Sequence, residues 1–212
     1  MCRLIAVTNR KLCRGDFLKQ IEIMAKSGID AIILREKDLR KEEYQALARQ
    51  VKEICDKYPV RFVYHTFVDV AMEDKVLQIH LPLPMALQEK EKLGYFLEVG
   101  CSTHSIEDVR QVEELQEWCR EKGHPTKFYV TLGHIFETDC KKGLPPKGLS
   151  LLKETCRRTK LPVYAIGGIT PENMSQAFAA GAQGVCLMSW CMNATAPMAE
   201  AFIQKMEERM EV

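Results

Sequence analysis

Short apolar runs rich in β-branched residues recur at a fairly even interval along the whole chain. Eight such runs occur in 212 residues, and most are apolar at successive positions rather than at every second one. Continuous apolar character is typical of strands in a parallel sheet that is buried on both faces. The pattern therefore predicts eight strands, at residues 4–8, 31–34, 61–64, 76–81, 96–100, 128–132, 163–166 and 185–188.

Segments with the apolar spacing of helices lie between these runs. Phe17, Ile21 and Met24, for example, fall on one face of a helix. The predicted helices cover residues 16–27, 41–57, 68–73, 86–92, 106–122, 148–159, 171–180 and 196–210. Alternating strands and helices in a chain of this length predict an α/β fold, a single (β/α)8 TIM barrel domain over residues 1–212. The alternative is an open doubly wound sheet, but its usual G-x-G-x-x-G after the first strand is missing.

The charge balance and the apolar content limit the partners of the chain. Its 30 basic and 29 acidic residues leave a net charge of +1, so no global field attracts nucleic acid or an anionic membrane. No stretch approaches the roughly 18 apolar residues of a membrane span, and the start of the chain lacks the pattern of a signal peptide. We therefore expect a cytoplasmic protein. The 9 cysteines have no C-x-x-C spacing, which favours free thiols over a zinc site.

A glycine pair after the seventh run is the first candidate binding element. Gly167 and Gly168 follow the predicted strand, and Thr170-Pro171-Glu172 then begins a helix. Two glycines let a backbone approach a ligand, and the N–H groups of such a turn favour an anion. The loops after strands seven and eight of a barrel often bind phosphate, so Met188 and Ser189 join the prediction. The alternative is an ordinary tight turn without a ligand.

Two basic residues follow the end of the second predicted strand. Arg35 suits bidentate binding of a carboxylate or phosphate, and Lys37 supplies a point charge. Both are therefore candidate anion binders. The structural alternative is that they pair with the neighbouring carboxylates Glu36 and Asp38.

Histidines lie at or near several predicted strand ends. His134 follows a glycine after strand six, where an imidazole suits proton transfer near neutral pH. A packed or surface histidine is the structural alternative there. His104, after strand five, suits either a ligand contact or a role at the start of the next helix. His65 and His80 are expected to be buried and hydrogen-bonded.

One long polar connection follows the sixth strand, at residues 133–147. Thr138 and Lys141 lie within it and offer a hydroxyl and an ammonium group. Such a loop suits a lid that closes over a phosphate ester and excludes water. A solvated charged loop is the alternative, and without further context the sequence favours it.

Several longer motifs follow one another along nearly the whole chain. They are LREK at 34–37, VDVA at 68–71, GCSTHS at 100–105, GHIFETDCKKG at 133–143, residues 162–168 with Asn173, and residues 184–189. In this order they resemble the thiamin phosphate synthase/TenI family of barrels. Many motifs in one order are a far more specific signal than one glycine-rich loop.

The resemblance covers two chemistries on one scaffold. It implies that synthases of this family join a pyrimidine pyrophosphate to a thiazole phosphate, with carboxylates after strands three and four holding a magnesium ion. This chain has His65-Thr66 and Leu81-Pro82 at those places, and neither offers a carboxylate. Asp69 remains, but both branches of the family share it. The sequence therefore argues against the synthase branch.

The Gly133-His134 pair is similar to the other branch, the TenI-like thiazole tautomerases. That resemblance implies an isomerase of thiamin biosynthesis, in which His134 is the general acid/base that converts a carboxylated dihydrothiazole phosphate into its aromatic tautomer. It implies no cofactor and no metal. The implied substrate contacts are Gly167, Gly168, Met188 and Ser189 on the phosphate, with Arg35, Lys37, Ser102, His104, Thr138 and Lys141 beside them.

Two other functions remain open from the sequence. One is a thiamin phosphate synthase, which would bring Mg²⁺ as its cofactor. The other is a non-catalytic TenI-like regulatory protein, although the balanced charge speaks against nucleic-acid binding. The sequence does not determine the oligomeric state, and a homodimer is the expectation for a barrel of this size.

Overall fold

Eight parallel strands, closed into a barrel in the order of the sequence, form the sheet of this protein. The computed structural model describes residues 4–138, 141 and 143–208, with the backbone alone for 205–208. The strands are β1 (Leu4–Val7), β2 (Ala31–Leu34), β3 (Arg61–His65), β4 (Gln78–Pro82), β5 (Glu98–Thr103), β6 (Lys127–Gly133), β7 (Val163–Ile166) and β8 (Gly184–Leu187). The predicted (β/α)8 barrel is confirmed.

Burial explains why the strands are apolar at successive positions. All four residues of β1, β2 and β8 are buried, and in β6 every residue after Lys127 is buried. Side chains of neighbouring positions point to opposite faces of a strand. Both faces of these strands are therefore covered, as the continuous apolar runs predict.

Helices follow the strands, and polar residues cap two of the longer ones. Asp16 accepts the N–H of Lys19 at 2.8 Å at the start of α1, and Ser105 accepts the N–H of Asp108 at 3.1 Å at the start of α5. The helices are α1 (Phe17–Lys26), α2 (Lys41–Cys55), α3 (Val68–Glu73), α4 (Leu83–Gln88), α5 (Ile106–Glu121), α6 (Gly148–Arg158), α7 (Met174–Ala179), α8 (Ser189–Asn193) and α9 (Ala196–Glu208), with 3-10 helices at Arg10–Leu12 and Lys90–Tyr95.

Three helices differ from the prediction. α4 begins at Leu83 instead of residue 86, because Pro84 suits a first helical turn, where its missing N–H costs nothing. α7 begins at Met174 instead of residue 171, because Asn173 accepts the N–H of Thr170 at 2.9 Å and holds a turn there. Helix α8 was not predicted. The last predicted helix extends to residue 210, and 209–210 lie outside the described residues.

The chain divides into two compact units, and each is described by itself. The first contains the residues up to Phe62 together with those from Leu187 onward. In it, Nε2 of Gln20 on α1 donates to the carbonyl oxygens of Cys191 and Ala194, at 2.6 and 2.9 Å. The second unit is continuous and spans Val63–Cys186. The expectation of one domain over residues 1–212 stays a prediction.

The described cysteines are free thiols, as the irregular spacing predicts. They are Cys13, Cys55, Cys101, Cys119, Cys156, Cys186 and Cys191. Burial raises the pKa of Cys55 and of Cys101 to about 12, because a thiolate loses its hydration in the interior.

Within the described part of the chain, every helix is too short or too polar to span a bilayer. The expectation of no membrane partner stays a prediction. The expectations of a cytoplasmic location, of no nucleic-acid partner and of a homodimer stay predictions.

Candidate active site

The glycine pair after β7 forms a turn that packs closely against the segment after β6. Gly167 and Gly168 have φ angles of +92° and +66°, which glycine adopts without strain. A Cβ on Gly167 would lie 2.6 Å from Cα of His134. A Cβ on Gly168 would lie 2.8 Å from the carbonyl carbon of Phe136. Only glycine fits at both positions, so backbone rather than side chain lies at the end of β7.

Backbone hydrogen bonds hold this turn against the loop after β6. Ile135 donates its N–H to the carbonyl of Ile166, and Phe136 donates to the carbonyl of Gly167, both at 3.0 Å. The side-chain amide of Asn173 donates to the carbonyl of Gly168 at 2.8 Å. The turn is thus fixed before any ligand arrives, which lowers the entropy that binding an anion would cost.

His134 lies beside the turn with one ring nitrogen unused. The side chain is 5% exposed, and its Nε2 lies 3.3 Å from the carbonyl oxygen of Leu144. Its Nδ1 is buried and has no hydrogen-bond partner within the described residues. A buried polar atom left without a partner costs about 1–3 kcal/mol. This nitrogen is therefore a candidate contact for a bound molecule, as the sequence predicts for His134.

His104 is tied to the end of β6 rather than pointing freely into a site. Its Nδ1–H donates to the carbonyl oxygen of Gly133 at 2.6 Å, and its backbone N–H donates to Asp108 at 2.6 Å. The carbonyl accepts only, so the proton lies on Nδ1. His104 lies directly before α5, as one alternative of the sequence prediction has it, and its contact with a ligand stays a prediction. Ser102, also predicted, is half-buried at the end of β5.

The predicted contacts in the loop after β6 form a local turn. Lys141 donates its backbone N–H to the carbonyl of Thr138 at 3.0 Å. Both residues are half-buried. Asp139, Cys140 and Lys142 of the same motif lie outside the described residues. The roles of Thr138 and Lys141 in substrate binding stay predictions.

Arg35, Lys37, Met188 and Ser189 belong to the unit that contains both ends of the chain. The backbone N–H of Arg35 donates to Oγ1 of Thr8 at 2.9 Å, so the position of the residue is fixed. Met188 is half-buried before α8, and Ser189 is its first residue. Their roles as anion binders stay predictions.

Glu36, between the two predicted cations, has a structural role. It is 2% exposed and accepts hydrogen bonds from Oγ of Thr8 at 2.6 Å and from the guanidinium of Arg10 at 3.0 Å. Arg10 also pairs with Asp38, and this guanidinium holds the pKa of the Asp38 carboxyl below its usual range. The carboxylates beside Arg35 and Lys37 therefore pair with Arg10, while Arg10 itself was not predicted.

A second polar cluster lies at the ends of β3 and β4. His65 and His80 are each 3% exposed, and their rings stack with centroids 5.8 Å apart, which confirms that both are buried and hydrogen-bonded. Thr66 accompanies them with a φ of +72°, an uncommon angle for a β-branched residue, and its Oγ1 lies 2.5 Å from Nδ1 of His65. Strained residues of this kind cluster at functional sites.

The side chains at these strand ends do not fit a carboxylate-held magnesium ion. No three His, Cys, Asp or Glu side chains are placed to hold a metal within the described residues. Asp69, which follows β3, is bound by the ammonium of Lys92 at 3.0 Å. Mg²⁺ prefers carboxylate and phosphate oxygens, whereas this place offers imidazoles and hydroxyls.

The chain is a closed (β/α)8 barrel with a glycine turn after β7, and in this class of barrels the loops after strands seven and eight frequently bind phosphate. Comparison with known proteins shows to which family of barrels the chain belongs. The chain belongs to the thiamine monophosphate synthase family, whose model (TMP-TENI) matches residues 4–190. This confirms the resemblance that the motifs indicate.

Relatives in this family match over most of their own length. The chain is 32% identical over 210 residues to thiamine-phosphate synthase 2 of Streptococcus pneumoniae, covering 96% of this chain and 95% of that protein. It is 32% identical over 200 residues to thiamine-phosphate synthase of Enterococcus faecalis, covering 93% and 87%. The structure of thiamine phosphate pyrophosphorylase from Pyrococcus furiosus superposes with a TM-score of 0.79 at 23% identity, covering 98% and 96%, which supports the fold.

The interpretation as a thiazole tautomerase is wrong. It rests on the missing carboxylates after β3 and β4, on the Gly133-His134 pair and on the short run that follows this pair. The relatives that match over the whole chain are named thiamine-phosphate synthases, and so the alternative is favoured. The residues of one loop beside His134 are weak evidence for either branch of the family, because the same barrel scaffold carries different chemistries.

Proposed function

We propose that this chain is a thiamine-phosphate synthase, a transferase that joins a hydroxymethylpyrimidine diphosphate to a thiazole phosphate. Support comes from the full-length relatives that bear this name, which are 28–32% identical. The observation that carries the proposal is the turn at Gly167 and Gly168 after β7, where positive φ angles and close packing against the segment after β6 admit only glycine.

The reaction exchanges one bond at a methylene carbon for another. The bond between this carbon and the diphosphate oxygen breaks, and the diphosphate leaves with the electron pair. The ring nitrogen of the thiazole uses its own pair to form the new carbon–nitrogen bond. The protein must hold the thiazole phosphate in place and stabilise the negative charge of the leaving diphosphate.

The residues of this chain suit these two tasks. We assign the phosphate of the thiazole to the backbone N–H groups at Gly167 and Gly168. The partnerless Nδ1 of His134, beside that turn, is assigned a hydrogen bond to the bound thiazole. The roles of Arg35 and Lys37, which belong to the other compact unit, stay predictions. No step is assigned to Mg²⁺, because the side chains after β3 and β4 do not fit it.

The test is the formation of thiamine phosphate by the purified protein. The protein is incubated with hydroxymethylpyrimidine diphosphate and thiazole phosphate, with and without Mg²⁺, and the product is measured by chromatography and mass spectrometry. We expect thiamine phosphate to form, and Gly167→Ala to abolish it. Gly123→Ala is the matched control, because this glycine also has a positive φ of +77° but has open space around it. Absence of product in both conditions would refute the proposal.

A further inference from the structure

A buried histidine of β4 connects three neighbouring strands of the continuous unit. Nδ1 of His80 lies 3.2 Å from the hydroxyl of Tyr129 on β6. Its Nε2 lies 3.0 Å from Oγ of Ser102 on β5 and 3.3 Å from Oγ1 of Thr131. Both ring nitrogens therefore have hydroxyl partners, and the imidazole is fixed in orientation.

A glycine in the middle of β5 makes this contact across strands possible. In the sheet register His80 lies beside Gly100, and Gly100 lies beside Tyr129. A Cβ on Gly100 would collide with Nδ1 of His80 and with the ring of Tyr129. Glycine within a strand often marks a close approach of other groups. Here it opens the space in which the imidazole meets the phenol.

The exposed end of this chain of groups is Ser102. It lies two residues after Gly100, so its side chain shares the same face of β5. Tyr129 and His80 are 5% and 3% exposed, whereas Ser102 is half-buried. A molecule at the carboxyl end of β5 therefore meets the serine hydroxyl and not the imidazole behind it.

Ser102 is one of the substrate contacts that the family resemblance implies, and we propose that Tyr129 and His80 orient its hydroxyl through a directed hydrogen-bond relay, so that it donates to a phosphate oxygen of the substrate. The phenol O–H of Tyr129 donates to Nδ1 of His80, and Nε2–H of His80 donates to Oγ of Ser102. Because Oγ then accepts from within, its own proton points outward. Successive hydrogen bonds polarise one another, so the Ser102 hydroxyl becomes a stronger donor. A hydrogen bond from this hydroxyl to a charged phosphate oxygen is stronger than one between neutral groups.

His80 and Tyr129 are positioning residues in this arrangement, since they act through Ser102. The other tautomer of His80 would accept the Ser102 proton and leave only lone pairs facing the anion, which repel it. Tyr129 selects the productive tautomer by donating to Nδ1. The proposal rests on the proposed function for the nature of the substrate, a phosphate or diphosphate ester.

The test measures binding of inorganic phosphate and inorganic pyrophosphate by calorimetry, without turnover. Ser102→Ala is expected to weaken binding about tenfold to a hundredfold, the effect of one hydrogen bond to a charged group. Tyr129→Phe is expected to weaken binding about twofold to tenfold through the lost polarisation and tautomer preference. A larger loss for pyrophosphate assigns Ser102 to the diphosphate, and an equal loss for both anions assigns it to a single phosphate.

The decisive measurement is the double variant. In a relay, Tyr129→Phe has no further effect once Ser102 is alanine, because its influence passes through that hydroxyl. Tyr164→Phe is the matched control, since Tyr164 is likewise buried and its ring packs edge-on against that of Tyr129, with the ring centroids 5.3 Å apart. It should leave binding unchanged. His80→Gln keeps a donor and should bind more tightly than His80→Leu, while circular dichroism and urea unfolding show that each variant is folded.

Three results would overturn the relay: additive effects of Tyr129→Phe and Ser102→Ala, no effect of Tyr129→Phe, or no binding of either anion by the unchanged protein. The experiments distinguish failure of the relay from failure of the proposed function. Coupled binding without any thiamine phosphate formed would keep the relay and refute the synthase. Product formation without coupling would keep the synthase and refute the relay.

Discussion

Gly167→Ala tests whether the turn after β7 depends on its closeness to His134. The substitution has two costs. A left-handed residue with a Cβ costs about 1–2 kcal/mol, and the collision with the backbone of His134 adds an overpacking cost of about 1–3 kcal/mol. Alanine also lowers the conformational entropy of the unfolded chain, which offsets about 0.4–1 kcal/mol of the lost stability. We expect the free energy of unfolding to fall by about 1–5 kcal/mol.

Urea unfolding followed by circular dichroism measures this loss. A decrease of 1 kcal/mol lowers the melting temperature of a chain of this size by about 2–4 °C, so thermal melting gives an independent value. Gly123→Ala has the positive φ without the collision and isolates the backbone cost. Gly167→Ala should therefore lose about 1–3 kcal/mol more than Gly123→Ala. Equal losses in the two variants would refute the close approach of the turn to His134.

Two further predictions concern buried ionisable groups. Arg10→Gln should lower the free energy of unfolding by about 1–3 kcal/mol in urea titrations, because Glu36 is buried and loses its charged donor. Lys11→Gln is the control, since its ion pair is exposed and worth about 0–1 kcal/mol. A comparable loss in both variants would contradict the role of Arg10. The raised pKa of the buried thiols of Cys55 and Cys101, about 12, stabilises the fold below the unfolded-state value near 9.0. The free energy of unfolding should fall above that pH, by about 1.4 kcal/mol per thiol and pH unit. Cys101→Ala should therefore reduce the slope with which the urea midpoint of unfolding decreases with pH.

The order and type of the strands are predictable from the sequence, because burial on both faces leaves continuous apolar runs. The start of a strand is less predictable. Val76 and Phe96 are buried and apolar, but each donates its N–H to the preceding helix, Val76 to the carbonyl of Ala71 in α3 and Phe96 to the carbonyl of Leu93 in the 3-10 helix. β4 and β5 therefore begin two residues after the predicted positions. Apolar character reports burial and does not show where a backbone hydrogen bond goes.

The turn of the candidate site was predictable, but the chemistry of the family branch was not. Gly167 and Gly168 are paired glycines after an apolar run, a pattern with a direct physical meaning. The branch was assigned from the residues around His134 and from the missing carboxylates after β3 and β4. A few positions of this kind do not determine which of two reactions a shared scaffold performs.

The cluster around His80 was only partly predictable. Burial of His65 and His80 was expected, but their partners lie on strands distant in sequence, such as Tyr129, 49 residues away. Gly100 within a strand was the available signal, since glycine there indicates that other groups approach closely. Which groups approach is set by the sheet register, and the sequence pattern does not contain it.

The hydrogen bonds from Gln20 to Cys191 and Ala194 have a consequence for the nascent chain. One compact unit is assembled from residues more than 170 positions apart, whereas the other is continuous. As the ribosome releases the polypeptide, Val63–Cys186 emerges in full before the partner carbonyls of Gln20 exist. Closing such a long loop is entropically costly, and Gln20 of α1 reaches its partners only in the final part of translation.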